Sequence, residues 1–176
     1  LLSDALHQVA ARTFNRVTVD GDTSTNDTCA VLANGLAGNT LIEWKDDGYT
    51  VFVKTLRDLC EQLSRAIAAD GEGASHLLTC TVSGSRSEEA AERLAKAVVG
   101  SNLVKAAMFG ADANWGRVLC AIGYSGAEVD VNKVDVSFSS KAGTVDVCKD
   151  GAGIPFDEEV AKKVLLANNL GLLWKQ

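Results

Sequence analysis

Residues 50–82 read TVFVKTLRDLCEQLSRAIAADGEGASHLLTCTV. Phe52, Val53, Leu56, Leu59, Cys60, Leu63, Ala66 and Ile67 recur at helical spacing, with Lys54, Arg57, Asp58, Glu61 and Arg65 on the opposite side. That pattern predicts an amphipathic helix over about 50–69. Asp70-Gly71 ends it, because glycine accepts the left-handed conformation that closes a helix. From His76 to Val82 the period drops to two, with Leu78, Cys80 and Val82 on one face, which predicts a strand. The succession of helix and strand patterns predicts an α/β or α+β chain, and the glycine turn a boundary near residues 70–76.

Downstream, Ser87 is placed to cap a helix reaching about Val99, and Glu88 and Glu89 complement its dipole. Residues 103–109 are apolar but too short to assign by period. Trp115–Ile122 reads as helix, and Lys133–Ser139 with Gly143–Lys149 reads as a hairpin. Phe156-Asp157-Glu158-Glu159 opens a last helix. Upstream, Ser3-Asp4 is expected to cap a helix bearing Ala5, Leu6, Val9, Ala10 and Thr13 or Phe14 on one face. Arg16–Val19 is expected as a strand and Asp20–Thr28 as a loop. Cys29–Ala33 fits a buried strand or the start of a helix.

The sequence has 176 residues, 47% of them hydrophobic and 23% charged, with a net charge of −6, which suits a folded domain rather than a disordered one. The acidic balance argues against a nucleic-acid partner, and no apolar run has the length of a membrane span. The five cysteines, Cys29, Cys60, Cys80, Cys120 and Cys148, form no Cys-x-x-Cys pair, so neither a zinc site nor a redox motif is expected. Their mostly apolar neighbours predict buried thiols in a reducing, cytoplasmic setting.

Chemistry concentrates in three places. Asp20, Asp22, Thr23, Asn26 and Asp27 crowd the segment after the first strand candidate. An Asp-x-Asp after a strand is the pattern of phosphotransferases with a carboxylate nucleophile, but no later Lys and paired-Asp elements follow. An EF-hand is excluded, because the sixth position is Thr25 and the twelfth is Val31. The plain alternative is a turn network of side chains bonding local amides. Glu72, flanked by Gly71 and Gly73, projects from a turn and suits a substrate ammonium; an exposed helix stop is its plain alternative. In Phe109–Arg117, Asp112 or Asn114 suits a helix cap, Trp115 an anchor and Arg117 a carboxylate partner.

Together and in this order, Arg12–Arg16, Val19–Thr28, Asp70–Ala74 and Phe109–Arg117 resemble the ornithine acetyltransferase family, also called glutamate N-acetyltransferases. The resemblance runs from Leu1 to about Val164. It implies a four-layer α-β-β-α core of the N-terminal-nucleophile kind, with a smaller α+β domain at the C-terminal side. It also implies a precursor that cuts itself before a threonine, and acetyl transfer from N-acetylornithine to glutamate through an acetyl-threonine. Cytoplasmic α2β2 assembly follows from it as well. No cofactor or metal is implied, and acetyl-CoA is the alternative donor in bifunctional members.

Matched residue by residue, Glu72 holds the substrate's amino group. Asp20, Asp22, Thr23, Asn26 and Asp27 organise the site from behind, and Asn114 and Arg117 are structural or interfacial. The nucleophile is expected about fourteen residues before Leu1, and the α chain is expected to supply the oxyanion hole. The expected division is residues 1–74 in the core and 75–176 in the smaller domain, truncated or altered after about 164. On this reading the chain is an incomplete β chain, inactive alone and with part of its core exposed. A related N-terminal-nucleophile hydrolase or peptidase, and an inactive fragment acting as a binding module, are the alternatives.

Overall fold

A computed structural model describes residues 1–175. It divides into two compact units, Leu1–Asp70 and the part from Gly71 onward.

The first unit contains two helices and a long coil. Helix α1 (Leu2–Arg12) buries Ala5 and Val9, as the spacing predicts. Its N-cap is Leu1, without a side-chain cap, so the expected Ser3-Asp4 cap is not formed; Asp4 instead lies in the first turn. Thr13 closes the helix, its hydroxyl donating to the Val9 carbonyl at 2.8 Å, and a 3-10 turn over Phe14–Arg16 follows. Residues 17–46 have no helix or strand. The strand expected at Arg16–Val19 is therefore absent, and Cys29–Ala33 forms neither the buried strand nor the helix start that its composition allows. A strand needs a second backbone to satisfy its amides and carbonyls, and residues 1–70 pair with none. Leu32, expected to be buried, is 96% exposed.

Helix α2 (Asp47–Ala69) begins three residues earlier than the apolar stripe suggests. Asp46 supplies the start, accepting from the Tyr49 amide at 2.9 Å. The helix stops at Asp70 as expected. Its buried residues are Tyr49, Cys60 and Ser64, while Leu59, Leu63 and Ile67 are exposed. Half of the predicted apolar stripe, Leu59, Leu63, Ala66 and Ile67, thus faces solvent.

The second unit closes a sheet with helices on one face. Strand β1 (Leu77–Ser83) leads to α3 (Glu88–Gly100), α4 (Asn102–Phe109) and α5 (Trp115–Gly123). Ser87, Ser101 and Asn114 cap these helices with their own side chains. The ambiguous 103–109 segment is therefore helical. The hairpin follows as β2 (Asp135–Ser140) and β3 (Gly143–Lys149), then β4 (Ala152–Gly153), α6 (Glu158–Leu165) and β5 (Asn169–Lys175). The strand order is β1-β5-β2-β3-β4. β5 runs parallel to β1 and antiparallel to β2.

The stretch after about 164, expected to be truncated or altered, therefore supplies an interior strand of the sheet. Leu170, Leu172 and Trp174 alternate into the core beside Val136 and Phe138. At Gly171 any side chain would strike the Ser139 hydroxyl. At Gly153 a Cβ would run into the Trp115 ring, so this glycine is what lets β4 lie against α5. Among the described residues, Trp174 Nε1 is the one buried polar side-chain atom without a partner.

Candidate functional site

Glu72 stands on a turn closed by the Ala74 amide donating to the Gly71 carbonyl at 2.9 Å. Gly73 has φ +71°, a conformation that strains any other residue, and it directs the chain into β1. Glu72 is exposed, so an ammonium group can reach its carboxylate without displacing protein. Just beyond it, Ser75 Oγ lies 2.7 Å from His76 Nδ1.

The polar segment of the first unit folds on itself. Asp20 Oδ1 accepts from the Asp22 amide at 2.8 Å, with Gly21 at φ +91° between them. Ser24 Oγ accepts from the amides of Asn26 and Asp27 at 3.3 and 2.8 Å, and Thr28 Oγ1 donates to the Asn26 carbonyl. Asx and Ser turns of this kind fix a backbone while leaving the Asp22, Thr23, Asn26 and Asp27 side chains exposed.

Asn114 and Arg117 form a different arrangement. Asn114 Oδ1 accepts from the Arg117 amide at 3.1 Å, and its Nδ2 donates to Asp112 Oδ2 at 2.9 Å. Arg117 Nη1 donates to the Leu103 carbonyl at 3.0 Å, which joins α5 to the first turn of α4. Neighbouring Ala111 has φ +50°, an unusual value for a residue with a side chain. The candidates thus fall into three local clusters: the 20–28 turns in the first unit, and the Glu72 turn and the α5 cap in the second.

One cluster has no signature in the sequence. Tyr49 Oη donates to Asp4 Oδ2 at 2.6 Å, and Lys45 Nζ lies 2.8 Å from the same oxygen. The Lys45 ammonium also sits 5.8 Å from the Tyr49 ring centroid. The hydrogen bond from Lys45, then that from Tyr49, holds the Asp4 carboxyl below its ordinary range. Asp4 in turn raises both Lys45 and Tyr49. Only a contact across 45 positions makes this cluster, and no local spacing announces it.

The cysteines depart from expectation. Cys60 and Cys148 are buried and Cys80 is partly buried, but Cys29 and Cys120 are exposed. Cys29 lies in the coil, and Cys120 occupies the outer side of α5, whose inner side is Val118, Ala121 and Ile122. Burial pushes the Cys80 thiol up to about 12. Among the described residues no three His, Cys, Asp or Glu side chains gather as a metal-binding group, and no helix is long and apolar enough to cross a membrane.

Residues 1–173 match the ArgJ family model. The arginine biosynthesis bifunctional protein ArgJ 1 of Clostridium acetobutylicum is 51% identical over 165 residues, which is 94% of this chain and 40% of the relative. The ArgJ protein of Halalkalibacterium halodurans is 45% identical over 164 residues, covering 93% of this chain and 39% of the relative. The crystal structure of arginine biosynthesis bifunctional protein ArgJ from Bacillus halodurans superposes with a TM-score of 0.92 at 42% identity. That match covers 99% of this chain and 80% of the solved one. The chain thus spans about two fifths of the length of the curated relatives it matches. With the motifs, the fold and these matches in agreement over nearly every residue, the chain belongs to the ArgJ family.

Proposed function

We propose that this chain is the β-chain part of a glutamate N-acetyltransferase of arginine biosynthesis, which moves an acetyl group from N-acetylornithine to glutamate. The observation that carries the reading is the family match over residues 1–173. Two further observations support a two-chain product. The chain covers 80% of the solved halodurans chain but 39% of the curated halodurans relative, so the solved chain is about half as long. The first unit also leaves Leu32, Leu36, Leu41 and Trp44 exposed along its coil, and Leu59, Leu63 and Ile67 along α2. A surface of that size and character suits a partner, and the α chain of the same precursor is the partner proposed.

The reaction divides between the chains. The threonine hydroxyl, upstream of Leu1, gives its proton to its own α-amine and attacks the acetyl carbonyl carbon of N-acetylornithine. A C–O bond forms, the amide C–N bond breaks, and the proton returns to the departing ornithine nitrogen. The glutamate amine then attacks the ester, forms a C–N bond and releases the threonine oxygen, which regains a proton. An oxyanion hole from the α chain stabilises both tetrahedral intermediates.

From this chain, Glu72 holds the ammonium group of ornithine or its acetylated form. The 20–28 turns support the site from behind, and Asn114 and Arg117 hold α5 and α4 together. No cofactor is required; acetyl-CoA is the alternative donor in a bifunctional member. The proposed setting is cytoplasmic and the assembly α2β2.

Intact mass tests the proposal. The upstream coding segment is restored, and the product is incubated with N-acetylornithine without glutamate. Two chains and an acetyl-sized gain on the smaller are expected, discharged when glutamate is added. Discharge by water alone would favour the hydrolase reading, and no cleavage would leave a binding module. Glu72→Gln is expected to raise the KM for N-acetylornithine at least tenfold while leaving cleavage intact.

A further inference from the structure

We propose that Asp4 is a positioning residue: through Tyr49 and Lys45 it clasps the C-terminal end of the 17–46 coil to α1, whose own C-terminus carries the other end, and so sets where the Asp20–Thr28 turns stand in the acetyl-transfer site. The second half of this statement rests on the acetyl-transfer reading above; the clasp itself does not.

One end of the coil is fixed by the chain. Helix α1 passes through Thr13 and the 3-10 turn directly into residue 17, with the Arg16 and Val17 amides bonded back to the carbonyls of Thr13 and Phe14. The other end runs into α2, which packs against α1, and is tied to α1 at its first turn by side chains. Lys45 is the last coil residue but one, Asp46 caps α2, and Tyr49 lies in its first turn. Both Lys45 and Tyr49 reach the same oxygen of Asp4, in the first turn of α1.

The 11 residues of α1 make a rod about 16 Å long. A flexible chain of roughly 30 residues would average about 30 Å between its ends. The clasp, together with the packing of α2 on α1, therefore holds the coil at about half its free span, and α1 serves as the strut across it.

The two arms of the clasp differ in kind. The Lys45–Asp4 pair is exposed, 60% and 49% by side chain, and water screens it. Tyr49 is 6% exposed, and its short hydroxyl bond to a carboxylate is of the charge-assisted type. Tyr49 is therefore the arm that matters, and Lys45 keeps the carboxylate charged and aimed.

The test uses the precursor with its upstream segment restored, as wild type, Asp4→Ala, Tyr49→Phe and Asp4→Glu. Hydrogen exchange reads the clasp in peptides covering 1–12 and 40–56. Steady-state kinetics reads the positioning. In Asp4→Ala and Tyr49→Phe, exchange in both peptides is expected to rise at least fivefold. Their kcat is expected to fall at least tenfold with the KM for N-acetylornithine within twofold, and Asp4→Glu is expected to recover part of it. Unchanged exchange would overturn the clasp. Faster exchange with unchanged kcat would reduce it to a structural tie and overturn the positioning role. A wild type that transfers no acetyl group would overturn that role together with the acetyl-transfer reading, while the exchange result would still decide the clasp.

Discussion

The two units of this chain solve the burial problem in opposite ways. From Gly71 onward, five strands and four helices close around Phe138, Leu165, Leu172, Trp174 and their neighbours, all made by the unit itself. In Leu1–Asp70, fully buried residues are Ala5, Val9, Thr13, Tyr49, Cys60 and Ser64, and none lies in the coil between the helices. Yet α2 is amphipathic by sequence, as the helices of the second unit are. An apolar stripe records where a helix expects to be covered, and the cover need not come from the same chain.

The sharpest way to break the comparison is at Phe138, fully buried between its neighbours on β2. Phe138→Ala is expected to cost about 3–5 kcal/mol, read by urea unfolding, because the large cavity it leaves cannot collapse in a two-sided core. The same truncation in the first unit should behave differently. Leu63 is 48% exposed, so Leu63→Ala should shift the stability of this chain alone by less than about 0.5 kcal/mol. In a complex with the proposed α chain it should cost about 2–5 kcal/mol, the value of a buried leucine. Equal small effects in both settings would mean that α2 is never covered there.

Caps offer a smaller, local contrast. Ser87 Oγ accepts from the Ala90 amide at 3.1 Å, and Ser87→Ala is expected to cost about 1 kcal/mol in the second unit. Thiol chemistry gives the mildest probe. Exposed Cys29 and Cys120 should be alkylated at least tenfold faster than Cys80 at pH 8, read by mass after timed quenching. Burial raises the native Cys80 thiol to about 12 from about 9. The native group keeps its proton where the unfolded one loses it, so its stabilising contribution is full below about pH 9 and fades as pH rises towards about 12.

Local chemistry was legible wherever it acts locally. The α2 stop at Asp70, the Ser87 cap, the Asn114 cap and the β2–β3 hairpin all follow from residues within a few positions of one another. What depends on a distant backbone was not. Cys29–Ala33 has strand composition but lies as coil, since no strand of residues 1–70 pairs with it. β5 shows the converse: Leu170, Leu172 and Trp174 alternate as a strand does, but the place of Asn169–Lys175 is set by β1 and β2 on either side. Of the candidate site, the turn holding Glu72 and the polar turns of 20–28 could be read from glycine and Asx chemistry. The joining of Asp4 to Tyr49 could not, because nothing in either neighbourhood requires the other.

The interior place of β5 also has a meaning in time. Among the described residues β1 pairs with no other strand, and its partner lies about 90 residues later in the chain, Leu77 meeting Asn169. At a synthesis rate of about 5–20 residues per second, β1 waits on the order of ten seconds for that partner. During the wait Leu78, Cys80 and Val82 have only α3 and the helices after it to shelter them. The sheet then assembles around a late arrival, a non-local event of the kind that slows folding and exposes strand edges. Nascent chains of this protein should therefore be most prone to capture by holding chaperones after β1 has emerged and before β5 has, and a strand-breaking Leu172→Pro change should lengthen that interval indefinitely.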